Sequence, residues 1–238
     1  MRLYIVRHAD PDYARNTITP AGHLEAQALA RRLAGDGLTH IYTSPLNRAR
    51  ETARYTVELT KIEPVIEDWT QELGGLNGDL PQRSGDIETM VVWDAPGEII
   101  RAADPLPTHE TWHDLPLLNG LGIRQRFEQV IADSDAFIAR HGYTREGGRY
   151  RIICANQDQI AVFCHNGSGL TWLAHLLEIP LTLMWAGFWL APSSVTTILF
   201  DERSDTWAVP RCLGLGDVSH LYEARLPVQP RGIKGNVR

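Results

Sequence analysis

The sequence predicts an α/β fold of three layers: a largely parallel central sheet flanked by helices, with a loop-rich lid insertion. Three observations carry this. Apolar runs at residues 3–6 and 160–164 end abruptly in polar residues, as strands buried on both faces do. The first two strand-like runs are each followed by a helical pattern, and that alternation favours parallel strands. The chain has 238 residues, 43% hydrophobic and 22% charged, which is enough for one large core without staples.

The elements follow in order. Leu3, Tyr4, Ile5 and Val6 form a strand that stops at Arg7 and His8. After a loop rich in Asp, Pro and Asn, Thr19 is an N-cap with Pro20 at the first helical position. Leu24, Ala28, Leu29 and Leu33 recur at helical spacing, and Gly35 and Gly37 end the helix. Ile41, Tyr42 and Thr43 form the second strand. Ser44 and Pro45 are expected to cap a second helix that runs to about Leu59.

The middle of the chain differs. From about Gly74 to Gly148 it is rich in Gly, Pro, Asp and Trp, with helical periodicity returning only over residues 123–138. The whole chain, 1–238, is expected to be one domain in which about 78–148 is a lid insertion. Order returns at Tyr150. Residues 151–155 and 160–164 are expected to pair as strands across the turn Asn156–Gln159. A helix is expected over Leu170–Leu177, then a hairpin of residues 195–200 and 206–209. The tail from Pro227 is expected to fray.

Three of the strand ends carry polar chemistry: Arg7 with His8, Ser44 with Arg48, and His165. Ligand sites in open α/β sheets gather at the carboxyl edge. Two histidines and two arginines meeting there form a cationic pocket suited to phosphate, because arginine offers forked donors that match phosphate oxygens. Taken singly, Arg7 and His8 also fit a polar strand end, and Arg48 a surface helix residue.

These segments resemble the histidine phosphatase superfamily, which includes the cofactor-dependent phosphoglycerate mutases. Ile5-Val6-Arg7-His8-Ala9 looks like its Arg-His motif. Residues 18–22 and 25–28 are similar to its first helix. Residues 43–49 with Glu51, Thr52 and Ala53 are similar to its second arginine motif, and Phe163-Cys164-His165-Asn166-Gly167 to its second-histidine motif. The resemblance implies that His8 is a nucleophile that becomes phosphorylated and that Arg7, Arg48 and His165 bind the phosphoryl oxygens. It implies an acid near a Gly-rich stretch, assigned to Glu72. Glu67 and Asp68 compete for that role, and alignment on Gly74 places Thr70 there. Asn166 stands where glycine is common, and the asparagine common a few residues after the first histidine is not at its usual spacing, with Asn16 as its substitute. The mutases' longer pattern after the first motif is absent, which favours hydrolysis.

The expected activity is therefore hydrolysis of a small phosphomonoester through phosphohistidine. Mutase-type phosphoryl transfer is one alternative. Another is a zinc hydrolase built on His109, Glu110 and His113, which match H-E-x-x-H, although Pro105, Pro107 and Pro116 crowd the helix that motif needs. Cys164 beside His165 lacks the arginine loop of a cysteine phosphatase. No metal and no cofactor are expected, since the pocket's cations are side chains. A net charge of -6 argues against a nucleic-acid partner. No apolar stretch suits a membrane span or a signal peptide, and three cysteines fit a reducing compartment, so a cytoplasmic location is expected. The partner expected is a small phosphorylated substrate; a homo-oligomer is left open.

Overall fold

The computed structural model describes residues 1–74, 77–81 and 87–233. In chain order the elements are β1 (Arg2–Arg7), β2 (Pro11–Asp12), β3 (Thr17–Ile18), α1 (Pro20–Gly35), β4 (His40–Thr43), α2 (Asn47–Thr60) and β5 (Pro64–Ile66). Then come β6 (Asn77–Pro81), β7 (Ile87–Val91), α3 (Gly97–Arg101), α4 (Ile123–Arg140), β8 (Tyr143–Glu146), β9 (Arg149–Ile152) and β10 (Gln159–Cys164). The chain closes with α5 (Asn166–Leu176), α6 (Leu181–Gly187), β11 (Val195–Glu202), β12 (Trp207–Asp217) and α7 (Ser219–Glu223).

Eight strands form one sheet in the order β5-β4-β10-β1-β11-β12-β9-β8. The first four are mutually parallel, and the remaining pairings are antiparallel. Only β11 and β9 run against the other strands, so the sheet is mostly parallel in direction, as expected. Alternation along β1 explains the three layers. Tyr4 and Val6 pack with Leu29 and Leu33 of α1 and Ala49 and Ala53 of α2. Leu3 and Ile5 face the other way, into a core with Phe137 of α4, Trp172 and Leu173 of α5 and Leu181 of α6. Among the described residues, no helix is long and apolar enough to cross a membrane.

Register positions the carboxyl edge. Arg7 lies opposite Cys164, and Phe163 opposite Thr43. The ladder continues past both ends, with His8 N–H donating to Cys164 O at 2.9 Å and Ser44 N–H to Phe163 O at 2.8 Å. His8, His165 and Ser44 therefore emerge side by side from three adjacent strands.

Several local expectations need correction. Residues 151–155 do not pair with 160–164. β9 pairs with β8 and β12, whereas β10 lies between β1 and β4. Burial explains the exchange. Ile160, Ala161, Val162 and Phe163 are wholly buried and need neighbours on both faces, while β9 alternates between buried and exposed. Ser44 and Pro45 do not cap α2, which begins at Asn47 after an extended Leu46. α5 starts at Asn166, four residues before the expected Leu170. The tail does not fray at Pro227, because Arg231 is tied to Asp10, Arg7 and Trp189. Within the expected lid, β8 is a strand of the main sheet and α4 packs Val130, Phe137 and Ile138 into the main core, while residues 82–86 lie outside the described residues.

Helix α1 starts as the sequence indicates. Thr19 Oγ1 accepts from Gly22 N–H at 3.0 Å, and Pro20 opens the first turn. Gly22 faces the loop after β1: a Cβ there would lie 2.5 Å from Asp10 O and 3.0 Å from Ile18 Cβ. Helix propensity alone would favour Gly22→Ala by about 1 kcal/mol. We expect the clash to dominate at roughly 1–3 kcal/mol, the usual range for overpacking. The thermal midpoint of Gly22→Ala should therefore fall below that of the parent; an unchanged or raised midpoint would contradict this packing account.

Candidate active site

The site grows from the end of β1. Arg7 and His8 are only 3% and 1% exposed. The His8 backbone is held on both sides, its N–H by Cys164 O and its carbonyl by Ser193 N–H at 3.1 Å. Ser193 is buried and has a φ of 58°. Such a backbone state in a non-glycine residue persists only where the surroundings impose it. The next residue is fixed by α2: Ala9 N–H donates to Thr52 Oγ1 at 2.9 Å, and that hydroxyl donates to Arg48 O at 2.7 Å. Thr52 thus joins the loop after β1 to the turn that carries Arg48.

His8 Nδ1 lies 2.8 Å from Ala9 O. A carbonyl only accepts, so Nδ1 carries the proton, and Nε2 of the neutral ring keeps its lone pair. Burial pushes the His8 imidazole well below the ordinary histidine range, and the Arg7 charge adds to this. His165 is lowered in the same way, by burial first and then by His8, Arg48 and Arg7. The two rings lie 5.1 Å apart between centroids, at 59° to each other.

His165 is the residue from which α5 departs, and its Nε2 is 2.8 Å from Ser44 Oγ. Ser44 Oγ also accepts from Leu46 N–H at 3.2 Å. The serine thus orients the imidazole and does not cap the helix. Arg7 Nη1 donates to Leu190 O, and to Arg231 O at 3.3 Å. Arg48 lies over the Tyr13 ring, 5.6 Å from its centroid. Among the described residues, three buried nitrogens in this group have no partner: Arg7 Nε, Arg48 Nε and His165 Nδ1. Buried polar groups are nearly always paired, so this concentration of partnerless nitrogens marks a place built for a ligand rich in acceptor oxygens.

Of the competing acids, Glu72 comes closest to this group. Its Oε1 accepts from Ser168 N–H at 2.8 Å and Leu73 N–H at 3.1 Å, and its Oε2 from Gly167 N–H at 3.2 Å. The carboxyl group therefore sits on the first turn of α5, and its charge acts on both Arg7 and Arg48. Gly167 makes this possible, since a Cβ there would lie 2.6 Å from Glu72 Oε1 and 2.7 Å from the Trp93 ring. Glu67 is engaged elsewhere, with Arg140 and with Trp69 Nε1 at 2.9 Å. Asp68 is exposed. Thr70 is buried, its hydroxyl donating to Glu67 O.

The other motifs do not converge here. His109 and Glu110 lie in an exposed turn, and His113 in a short 3₁₀ segment, Trp112–Asp114. His109 Nε2 contacts Glu178 O at 3.0 Å, and His113 Nδ1 contacts Asp114 at 2.9 Å. The helix that H-E-x-x-H requires is absent. Burial pushes the Cys164 thiol up to about 12, far from a reactive thiolate. Asn166 uses its Oδ1 to accept from Leu190 N–H at 3.1 Å, and exposed Asn16 occupies a turn with a φ of 52°.

Sequence reasoning missed a supporting group around Asp10. Asp10 N–H donates to Glu25 Oε2 at 2.8 Å. Its carboxylate accepts from Thr19 Oγ1 at 2.7 Å and from Arg231 Nε at 2.6 Å. Only Thr19 had a local signal, as a helix cap; Arg231 lies 221 residues from Asp10 in sequence.

The family model of the histidine phosphatase superfamily (branch 1) matches residues 3–211. A probable phosphoglycerate mutase of Photorhabdus laumondii is 28% identical over 82 residues, which cover 31% of this chain and 38% of that protein. A putative phosphoserine phosphatase 2 of Hydrogenobacter thermophilus is 32% identical over 81 residues, covering 30% of this chain and 40% of the relative. The matched stretch thus spans less than half the length of these curated relatives. A mutant phosphoserine phosphatase of Entamoeba histolytica, solved with phosphoserine, shares the fold at a TM-score of 0.60 and 18% identity, covering 92% of this chain and 98% of that one. The chain belongs to the histidine phosphatase superfamily, branch 1.

Proposed function

We propose that the protein is a phosphatase that hydrolyses a small phosphomonoester through a phosphohistidine on His8. The observation that carries this reading is the set of buried, partnerless nitrogens on Arg7, Arg48 and His165 around an imidazole whose Nδ1 is already committed to Ala9 O. A phosphoryl group offers three equatorial oxygens to such donors, and the charge spread over them in the transition state needs cations fixed in advance. If Ser44 Oγ–H donates to His165 Nε2, the His165 proton resides on Nδ1, the nitrogen left for a phosphoryl oxygen. The curated relatives named as a phosphoserine phosphatase and a phosphoglycerate mutase support a small, anionic phosphate ester as the substrate class.

In this mechanism His8 Nε2 attacks phosphorus. The N–P bond forms as the bond to the ester oxygen breaks, and protonated Glu72 gives its proton to the leaving oxygen. A water then attacks the phosphohistidine and passes its proton to Glu72. The P–N bond breaks and inorganic phosphate departs, which restores both residues. Gly167 and Ser168 N–H groups hold the carboxyl group for both transfers.

Three outcomes are expected. Mixing with labelled substrate and quenching into base should trap an acid-labile, alkali-stable label on the N-terminal peptide. His8→Ala should abolish that label, and His165→Ala should slow its formation without moving it. Label on His165, or full turnover by His8→Ala, would sink the mechanism.

Glu72→Gln should lower the rate by about 10²–10⁴-fold for alkyl phosphates, the usual contribution of a general acid. It should lower it far less for nitrophenyl phosphate, whose leaving group needs little protonation. Equal losses on both substrates would remove Glu72 from the acid role.

Stability should fall as pH drops below about 6.5. Burial keeps His8 and His165 well below the ordinary histidine range and brings His220 to about 4. The unfolded chain takes up these protons near pH 6.5 and the folded chain only at lower pH, so acid favours unfolding. Glu25 acts in the opposite sense. Burial raises its carboxyl to about 7, so the folded state binds the extra proton and stability falls as pH rises from 4.5 to 7. His141, brought to about 4 by burial, makes a fourth such imidazole, and the four outweigh the raised carboxyls of Glu25 and Asp36, each proton difference changing stability by up to about 1.4 kcal/mol per pH unit. Thermal midpoints at pH 7 and pH 5 and matched ionic strength measure the balance; a higher midpoint at pH 5 would overturn it.

A further inference from the structure

Among the described residues, one group of three side chains has the chemistry and spacing of a metal site: His40, His141 and Asp158. His40 opens β4, His141 follows α4, and Asp158 precedes β10. One ligand atom from each lies within 4.8 Å of the other two. Asp158 Oδ2 is 3.9 Å from His141 Nδ1 and 4.0 Å from His40 Nδ1. The two rings meet edge to face, with centroids 5.2 Å apart.

These separations exceed hydrogen-bond length. The three groups face one another without hydrogen-bonding directly; His40 Nδ1 lies 2.8 Å from Thr39 Oγ1, a contact that a metal on that nitrogen would displace. Ligand atoms about 2.0–2.1 Å from a tetrahedral zinc lie roughly 3.4 Å apart, so the two Asp158 separations must close by roughly half an ångström and the separation between the two imidazoles by up to about 1.4 Å. Two imidazoles and a carboxylate suit zinc and its neighbours, whereas magnesium and calcium favour all-oxygen sets.

The surroundings also orient the ligands. The Tyr42 hydroxyl is 3.1 Å from His141 Nε2. With Nε2–H donating to that oxygen, Nδ1 turns its lone pair toward Asp158, the arrangement by which proteins fix metal-binding imidazoles. Asn156 braces both loop ligands: its Nδ2 donates to His141 O at 2.8 Å, and its Oδ1 accepts from Asp158 N–H at 3.0 Å. The neighbouring cation Arg140 is turned away and paired with Glu67. The His141 side chain is 6% exposed, but those of His40 and Asp158 are 42% and 30% exposed, which leaves an approach from solvent.

We propose that His40, His141 and Asp158 bind a divalent cation of the zinc class, with a fourth position for water, at the sheet edge opposite His8. The ion joins three segments distant in sequence and has no part in phosphoryl transfer.

The test uses untagged, full-length protein stripped with chelator and desalted. Calorimetric titration with Zn²⁺ should show a single saturable equivalent, and Co²⁺ should give the visible bands of a tetrahedral site. His40→Ala and Asp158→Asn, both on partly exposed side chains, should each weaken Zn²⁺ binding at least roughly tenfold while keeping the parent's circular dichroism. Tyr42→Phe should weaken it by roughly 10–100-fold, as loss of an orienting partner does. Zn²⁺, but not Mg²⁺, should raise the parent's thermal midpoint and not that of His40→Ala. His113→Ala, in the H-E-x-x-H segment, should bind as the parent does. Absence of saturable binding, binding that survives both His40→Ala and Asp158→Asn, or loss of binding in His113→Ala would each overturn the proposal.

Discussion

The structure turns on the burial of Arg7, His8 and His165, with Arg48 half-buried beside them, at one edge of the sheet. Guanidinium groups stay charged in proteins, so Arg7 and Arg48 bring fixed positive charge to a place with little water. The histidines beside them cannot also be charged, and burial together with the arginines holds both neutral. One constraint therefore produces two properties at once. It supplies cations for an anionic ligand, and it leaves His8 as an uncharged imidazole with a lone pair. A polar cluster of this kind needs a rigid frame, because each unpaired buried group carries a desolvation cost.

The frame is the register of β1, β10 and β4 with the loop contacts that extend it. Backbone hydrogen bonds from His8 and Ser44 continue the ladder beyond the strands. Thr52 then ties Ala9 to Arg48, and Ser193 holds the His8 carbonyl. Asp10 gathers Glu25, Thr19 and Arg231 behind the site. None of these residues needs to touch a ligand to matter. Each limits how far a cation can drift from the position it occupies, and electrostatic stabilisation depends on that fixity.

What was legible in the sequence follows from how local each signal is. The end of β1, the Thr19 cap and the helical spacing of α1 and α4 are short-range patterns, and the structure agrees with them. Arg7, His8, Arg48 and His165 were legible because each sits at a strand end or in the first turn of the helix that follows. The partners of β9 and β10 were not, because adjacency in sequence suggested a hairpin while burial on both faces placed β10 at the centre. The Ser44 contact to His165 spans 121 residues, and that of Arg231 to Asp10 spans 221. Contacts of that range leave no periodicity to read. His40, His141 and Asp158 were missed for the same reason, whereas H-E-x-x-H drew attention through a spacing that the fold does not use.

The sheet also relates its two edges. β4 runs from His40 to Ser44's neighbour Thr43, and β10 leads from just after Asp158 to just before His165. The same two strands therefore begin at the histidine–aspartate cluster and end at the edge that carries Ser44 and His165. Six residues of extended chain span about 20 Å, and at an effective dielectric constant near 20 two unit charges that far apart interact by only about 0.8 kcal/mol. Charge placed at one edge has little direct hold on a histidine at the other. Influence between the edges must pass through strand register, because a shift at the entry of β4 or β10 moves Ser44 and His165 relative to β1. A constraint at the amino ends of these strands would thus act on the opposite edge through geometry, by holding level the ends from which His8, Ser44 and His165 emerge.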